Sequence, residues 1–264
     1  MTVPAAHSRR AGADLVGTTL GIDLASQAEN TAACLVRWDP PVTIEMARAG
    51  FDDRTLADRI RAAGKVGMDV PLGWPLRFVE ALTSYMAGGA WTPSHTDPDL
   101  RLRATDRHVA ADRDRGRHPL SVSADRIAIP AMRAARLLTS ADETFDRAGG
   151  GKVVEVYPAA SLKAWGFDPT GYKRAKGRAV RRDLVDRFLE VAAAWITLTD
   201  EQRTACRDDD NVFDAFICAL TARAAGLGLC DPIPVEHADA ARLEGWIALP
   251  VAGSLSRLAG LVPT

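Results

Sequence analysis

Short apolar runs alternate with Gly, Pro, Asn and Asp punctuation along the chain, and their spacing predicts a mixed α/β protein. Leu15 to Ala25 is apolar and rich in Gly and Thr, Gln27-Ala28-Glu29-Asn30 supplies a turn, and Thr31 to Trp38 resumes as a second strand. Asp39-Pro40-Pro41 ends it, and Val42 to Ala47 reads as a third. Connections this short predict an antiparallel meander, because parallel pairing needs a crossover. Asp53 to Ala63 then has helical spacing through Leu56 and Ile60, and the brief strand Val66 to Val70 follows Gly64. Strand, helix, strand turns the sheet to parallel pairing.

Residues 76 to 150 read as an insertion. Its stretch from Gly88 to Ser123 is rich in Gly, Pro, Asp, Arg and His and predicts irregular, partly helical chain, followed by a helix over Asp125 to Thr139. Gly149-Gly150-Gly151 forms a loop before a fifth strand, Val153 to Tyr157, which Pro158 ends. A short helix from Ser161 to Trp165, a long amphipathic helix over Arg178 to Thr197 and a nearly all-apolar helix over Phe213 to Ala225 complete the body. Glu244 to Pro250 adds a last strand or a cap. Residues 1 to 13 read as a disordered tail, and 14 to 264 as one domain with its insertion.

The 264 residues, 47% of them hydrophobic, are enough for one large core. Thirty-three bases against 34 acids give a net charge of -1, so no global field attracts nucleic acid or an anionic membrane, and any such contact is a local patch. Cys34, Cys206, Cys218 and Cys230 form no C-x-x-C pair and have no histidine at zinc spacing, which suits a reduced, cytoplasmic setting. No apolar run approaches the ~18 residues of a spanning helix, so no membrane partner is expected.

Three apolar segments each carry one acid where a buried strand should hold none: Gly21-Ile22-Asp23-Leu24, Val66-Gly67-Met68-Asp69-Val70 and Val153-Val154-Glu155-Val156-Tyr157. A fourth cluster, Asp208-Asp209-Asp210 followed by Asp214, opens the apolar helix. Asp210 and Asp214 are four residues apart and share a helix face, near a terminus whose dipole favours negative charge. Carboxylates on strands are costly to bury without a partner, and a divalent cation can serve several at once. Asp23, Asp69, Glu155, Asp210 and Asp214 are therefore the candidate ligands for Mg²⁺ or Mn²⁺, with Asp23, Asp69, Asp214 and Glu155 the candidate catalytic set. Two such ions about 4 Å apart activate water and stabilise the leaving oxygen of a phosphodiester. The plainer alternative is that Asp23 and Asp69 cap turns, Glu155 pairs with an arginine, and Asp208 to Asp210 are a helix cap.

The predicted element order is that of a ribonuclease H-like fold, a mixed five-stranded sheet flanked by helices, in which the first and fourth strands are neighbours. Asp23 and Asp69 would then project side by side. The chain also resembles domain-of-unknown-function family 429, described as predicted nucleases of that fold. The resemblance rests on Gly21-Ile22-Asp23, Met68-Asp69-Val70-Pro71-Leu72-Gly73, Arg103-Ala104-Thr105-Asp106-Arg107, Glu155-Val156-Tyr157-Pro158 and Asp209-Asp210 through Asp214-Ala215, spanning roughly residues 15 to 250. It implies a metal-dependent hydrolase of DNA, RNA or a nucleotide. By position, Asp23, Asp69 and Asp214 match the acids of the first strand, fourth strand and last helix in the wider nuclease superfamily, whereas Glu155 lies outside that trio.

In the insertion, Arg103, Asp106 and Arg107 are candidate substrate-binding residues, a guanidinium forking onto phosphate while Asp106 orients it. His108 and His118 flank Arg113, Arg115 and Arg117, which read either as a phosphate-tracking patch or as a soluble helix face. Lys173, Arg174, Lys176, Arg178, Arg181 and Arg182, beside Trp165 and Tyr172, have the cation-plus-aromatic character of single-strand binding surfaces. Gly149-Gly150-Gly151-Lys152 lacks the spacing of a phosphate loop. An ATP-dependent phosphotransferase of the actin and sugar-kinase type shares the sheet order, but such enzymes place glycine soon after the first-strand acid, and here Leu24-Ala25-Ser26-Gln27 follows Asp23. A non-catalytic binding protein on the same fold is the third reading.

Overall fold

The computed structural model describes residues 17–48, 51–94, 96–111, 119–141 and 145–260. Five strands form one mixed sheet in the order β3-β2-β1-β4-β5: β1 (Thr18–Asp23), β2 (Ala32–Arg37), β3 (Thr43–Arg48), β4 (Lys65–Asp69) and β5 (Val153–Glu155). The first three are antiparallel, while β4 pairs parallel with both β1 and β5. The register sets Asp23 opposite Asp69 and Gly21 opposite Gly67. β1 is buried along Thr19–Ile22 instead of alternating, because layers cover both of its faces.

On one face lie α1 (Asp53–Ala62) and α5 (Ala128–Ser140). The Asp52 carboxylate accepts from the Thr55 amide at 2.8 Å, capping α1, and Leu56 and Ile60 pack with Leu20, Ile22, Met68 and Leu137. On the other face lies α9 (Asp210–Gly226), buried throughout from Val212 to Ala224, with α7 (Arg178–Ala192) and α8 (Asp200–Asp208) outside it. Phe188, Phe213 and Phe216 join these helices in the larger core. The result is a three-layer α/β/α arrangement.

α9 rests directly on the strand backbone. A Cβ on Gly21 would overlap the Ala215 carbonyl oxygen and the Ala219 amide, and one on Gly67 would overlap the Cys218 carbonyl oxygen. Glycine at these two central-strand positions is what lets the helix come down.

The insertion holds α2 (Leu76–Met86), α3 (Pro98–Arg101) and α4 (Ala104–Ala111) before α5. After β5 comes α6 (Pro158–Ala164), and α10 (Ala238–Glu244) precedes the C-terminal segment. Several expected bounds shift. α6 starts at Pro158 rather than Ser161, proline being suited to a first helical turn. α9 starts at Asp210, with the Asp209 side chain capping the Asn211 amide at 3.0 Å, and α7 stops at Ala192. Residues 244–250 form no strand; Ile247 makes an isolated parallel bridge to Glu155 and Pro250 an antiparallel one to Cys230. The expected tail over residues 1–13 and the His118, Arg113, Arg115 and Arg117 patch lie outside the described residues. Among the described residues no helix is long and apolar enough to cross a membrane.

Candidate functional site

Asp23 ends β1 and Asp69 ends β4, so the parallel register delivers both carboxylates to the same C-terminal edge of the sheet, where open α/β sheets bind ligands. α9, seated on Gly21 and Gly67, brings Asp214 to the same place. Each of the three acids offers one oxygen within 4.8 Å of the other two. Asp23 and Asp69 are partly buried, Asp214 fully.

Withdrawal from water, reinforced by Asp69 and Asp214, raises the Asp23 carboxyl well above its ordinary value. Withdrawal from water, partly offset by Lys173 and reinforced by Asp214, pushes Asp69 up to about 6. The same desolvation raises Asp214 against the pull of Lys173 and Tyr172. Crowded carboxylates of this kind are under-neutralised, and hard oxygen donors at this spacing fit a divalent cation.

Two residues that sequence reasoning did not place at the centre complete it. The Tyr172 hydroxyl donates to Asp214 Oδ1 at 2.6 Å, and Lys173 Nζ lies 2.8 Å from Asp214 Oδ2 and 3.6 Å from Asp69 Oδ2. Both come from the connection between α6 and α7. Arg181, itself buried, pins that connection by donating to the Tyr172 carbonyl at 2.7 Å and to the Arg207 and Asp208 carbonyls at the end of α8. Asp210 does not join the triad: its Oδ2 accepts from the Arg174 amide at 3.0 Å, so its role is to hold this loop.

Glu155 is not among the clustered ligands either. Arg103 reaches it from 52 residues away in sequence, with Nη1 to Oε2 at 2.7 Å and Nη2 to Oε1 at 2.6 Å. The same guanidinium donates to both Asp106 oxygens, at 3.0 and 2.9 Å, and to the Glu244 carbonyl at 3.2 Å. A guanidinium has five N–H groups, and these contacts occupy all of them. Arg103 and Asp106 are therefore not the expected phosphate fork: with Glu155 they form a saturated, buried network within the cavity wall. Glu155 Oε2 also accepts from the Leu72 amide at 2.9 Å, which fixes the loop leaving Asp69. Gly245, at φ +91°, passes so close that its missing Cβ would sit 3.1 Å from Glu155 Oε2. Arg107 is turned away, bonded to the Leu102 carbonyl and Asp99, each at 2.7 Å.

Glu244, which sequence reasoning passed over, accepts from the Leu76 and Ala104 amides at 2.7 Å, capping α2 and α4 with one carboxylate. The signal available was only an acid at the end of a short helix. The basic run divides. Arg178 and Arg182 pair with Asp208, and Trp165 and Tyr172 are buried in the core rather than forming a stacking platform. Lys173, Arg174 and Lys176 instead line a cavity of about 530 Å³ that has Asp23 and Asp69 in its wall, Arg126 and Lys163 around it, and Leu120, Ile127 and Pro130 as an apolar side. Cys34 and Cys218 are core residues, as their apolar settings suggest.

Among known proteins, the sequence model of a family described as a protein of unknown function, DUF429, matches residues 21–239. No curated protein and no solved structure matches the chain.

Proposed function

The chain belongs to the DUF429 family, and from the triad that β1, β4 and α9 bring together we propose that it is a divalent-metal-dependent phosphodiesterase, a nuclease acting on DNA or RNA. The observation that carries this reading is the convergence of Asp23, Asp69 and Asp214 within 4.8 Å beside a cavity ringed by bases. The sheet order β3-β2-β1-β4-β5, antiparallel then parallel, supports a ribonuclease H-like fold.

The three carboxylates would hold Mg²⁺ or Mn²⁺, which when bound supply Lewis-acid polarisation of a phosphate and a more acidic water. The chain itself does the positioning. Tyr172 fixes the rotamer of Asp214, and Glu155, held by Arg103, fixes the loop after Asp69. Arg126, Lys163, Arg174 and Lys176 offer positive charge to phosphate oxygens, while Leu120, Ile127 and Pro130 give a base or sugar an apolar surface. A cavity of about 530 Å³ is of small-ligand size. It suits a single strand or a strand end better than an intact duplex.

The test is cleavage of a panel of single-stranded, duplex, hybrid and branched DNA and RNA with Mn²⁺ or Mg²⁺, wild type beside Asp69→Asn. Wild type should cut single strands and be inactive in EDTA, and Asp69→Asn should not cut. Equal cutting by both, or none by wild type on any substrate, refutes the proposal.

A further inference from the structure

The triad already contains a cation. Lys173 Nζ, 2.8 Å from Asp214 Oδ2 and 3.6 Å from Asp69 Oδ2, stands against two of the three carboxylates that a divalent ion would have to share. We propose that Lys173 is an internal counter-ion that competes with the divalent metal for Asp69 and Asp214, and that an anionic phosphate, by drawing Lys173 away, tightens metal binding. This rests on the reading of the triad as a metal site.

The geometry separates a fixed loop from a free side chain. The backbone on either side of Lys173 is held: the Tyr172 carbonyl by Arg181, the Arg174 amide by Asp210, and the Tyr172 ring by its hydroxyl on Asp214. The Lys173 side chain, by contrast, is 43% exposed and can leave without repacking any core residue. An ammonium on a four-carbon stem is a mobile, strongly hydrated point charge, unlike the planar fork of Arg103. The molecule thus uses an arginine where the carboxylate partner is permanent and a lysine where it is exchangeable.

A metal ion and an ammonium cannot both lie within bonding distance of the same carboxylate oxygens without strong mutual repulsion. The place for a displaced Lys173 is the cavity it already lines. There Arg126, Lys163 and Lys176 make no ion pair with a described residue, so the cavity concentrates positive charge above an acidic wall. A phosphate drawn to these bases would take Lys173 as a further partner. Because coupling between two ligands is reciprocal, phosphate that releases Lys173 raises affinity for metal, and metal that displaces Lys173 raises affinity for phosphate by the same factor. The free protein would hold its metal weakly and gain affinity as substrate arrives.

The experiment is a Mn²⁺ titration of the full chain, read from the electron paramagnetic resonance signal of free Mn²⁺. It compares wild type, Lys173→Met, Lys173→Arg and Asp23→Asn, each with and without uridine 5′-monophosphate and corrected by a protein-free blank. Lys173→Met should bind Mn²⁺ at least tenfold more tightly than wild type, and Lys173→Arg should not. The nucleotide should tighten Mn²⁺ binding severalfold in wild type and much less in Lys173→Met. Equal or weaker Mn²⁺ binding by a folded Lys173→Met protein, with binding still lost in Asp23→Asn, overturns the counter-ion role and leaves the metal site standing. No Mn²⁺ binding by any variant overturns both. Should Lys173→Met fail to fold, amine labelling of wild type decides: excess Mn²⁺ should speed acylation of Lys173, read by mass spectrometry, and an unchanged rate refutes displacement.

Discussion

Replacing Arg103 by Met should cost the protein its stability before it costs any affinity for substrate. The Met side chain reaches only about as far as the Arg103 Nε, and the change removes five N–H donors from a site where Arg103 is 1%, Asp106 0% and Glu155 3% exposed. Two buried carboxylates would lose their countercharge together, and the Glu244 carbonyl its donor. Breaking a buried ion pair by removing one partner typically costs about 3–5 kcal/mol. That is a large share of a typical total of about 5–15 kcal/mol, and at this chain length it corresponds to a melting temperature lower by about 10 °C. Urea unfolding at pH 7, followed by tryptophan fluorescence, measures the loss directly. The deficit should narrow as the pH falls, because burial already raises the Glu155 carboxyl and the loss of Arg103 removes the charge that opposes this, and adding Glu155→Gln to the variant should recover part of it. An Arg103→Met protein as stable as wild type, but with a raised KM, would refute the reasoning and return Arg103 to the substrate.

Asp23→Asn should abolish metal-dependent hydrolysis while raising the melting temperature in EDTA, because it removes repulsion from a crowded, desolvated cluster; a lower melting temperature would count against that electrostatic picture. The pH dependence of metal-free stability follows from Asp69, whose folded-state value of about 6 lies above its ordinary 3.8. The folded protein keeps a proton that the unfolded chain releases, so this group's contribution is present below about 4 and disappears as pH rises through about 6, a loss of up to about 3 kcal/mol. Differential scanning fluorimetry in EDTA should show that fall in wild type and a smaller one in Asp69→Asn, where Asp23 and Asp214 are still raised by burial, and saturating Mn²⁺ should reverse it. Gly21→Ala should cost more than about 3 kcal/mol or prevent folding, since the overlap is with helix backbone that has no rotamer to change; Gly17→Ala, with open space around it, should be silent in the same urea assay.

The clustered acids were legible for a physical reason. Asp23 and Asp69 close apolar strands, and the run that buries a strand also fixes its register, so the two ends arrive together. Asp214 stands out as the acid within the long buried stretch of α9. Glu155 gives the same local signal, an acid in an apolar strand, yet its partner is an arginine 52 residues away. Local pattern reports that a buried charge needs a countercharge and says nothing of whether that is a side chain or an ion. Lys173 was hidden differently, as one of six bases between residues 173 and 182; only the pinning of its loop by Arg181 distinguishes it from Arg178 and Arg182, which sit on Asp208. α8 escaped notice because Asp-Glu-Gln-Arg dominates its start, although Thr199 and Gln202 form a capping box that sequence alone contains.

The late position of α9 in the chain has a consequence for biosynthesis. By the time Asp69 is made, the strands that align it with Asp23 are already present, but the third carboxylate travels on a helix whose apolar surface needs the sheet beneath it. A ribosome must therefore release the chain through Gly226 before the centre exists at all. On the reading proposed here, a product cut short before α9 is not a weakened enzyme but an inert one, with one face of its sheet uncovered.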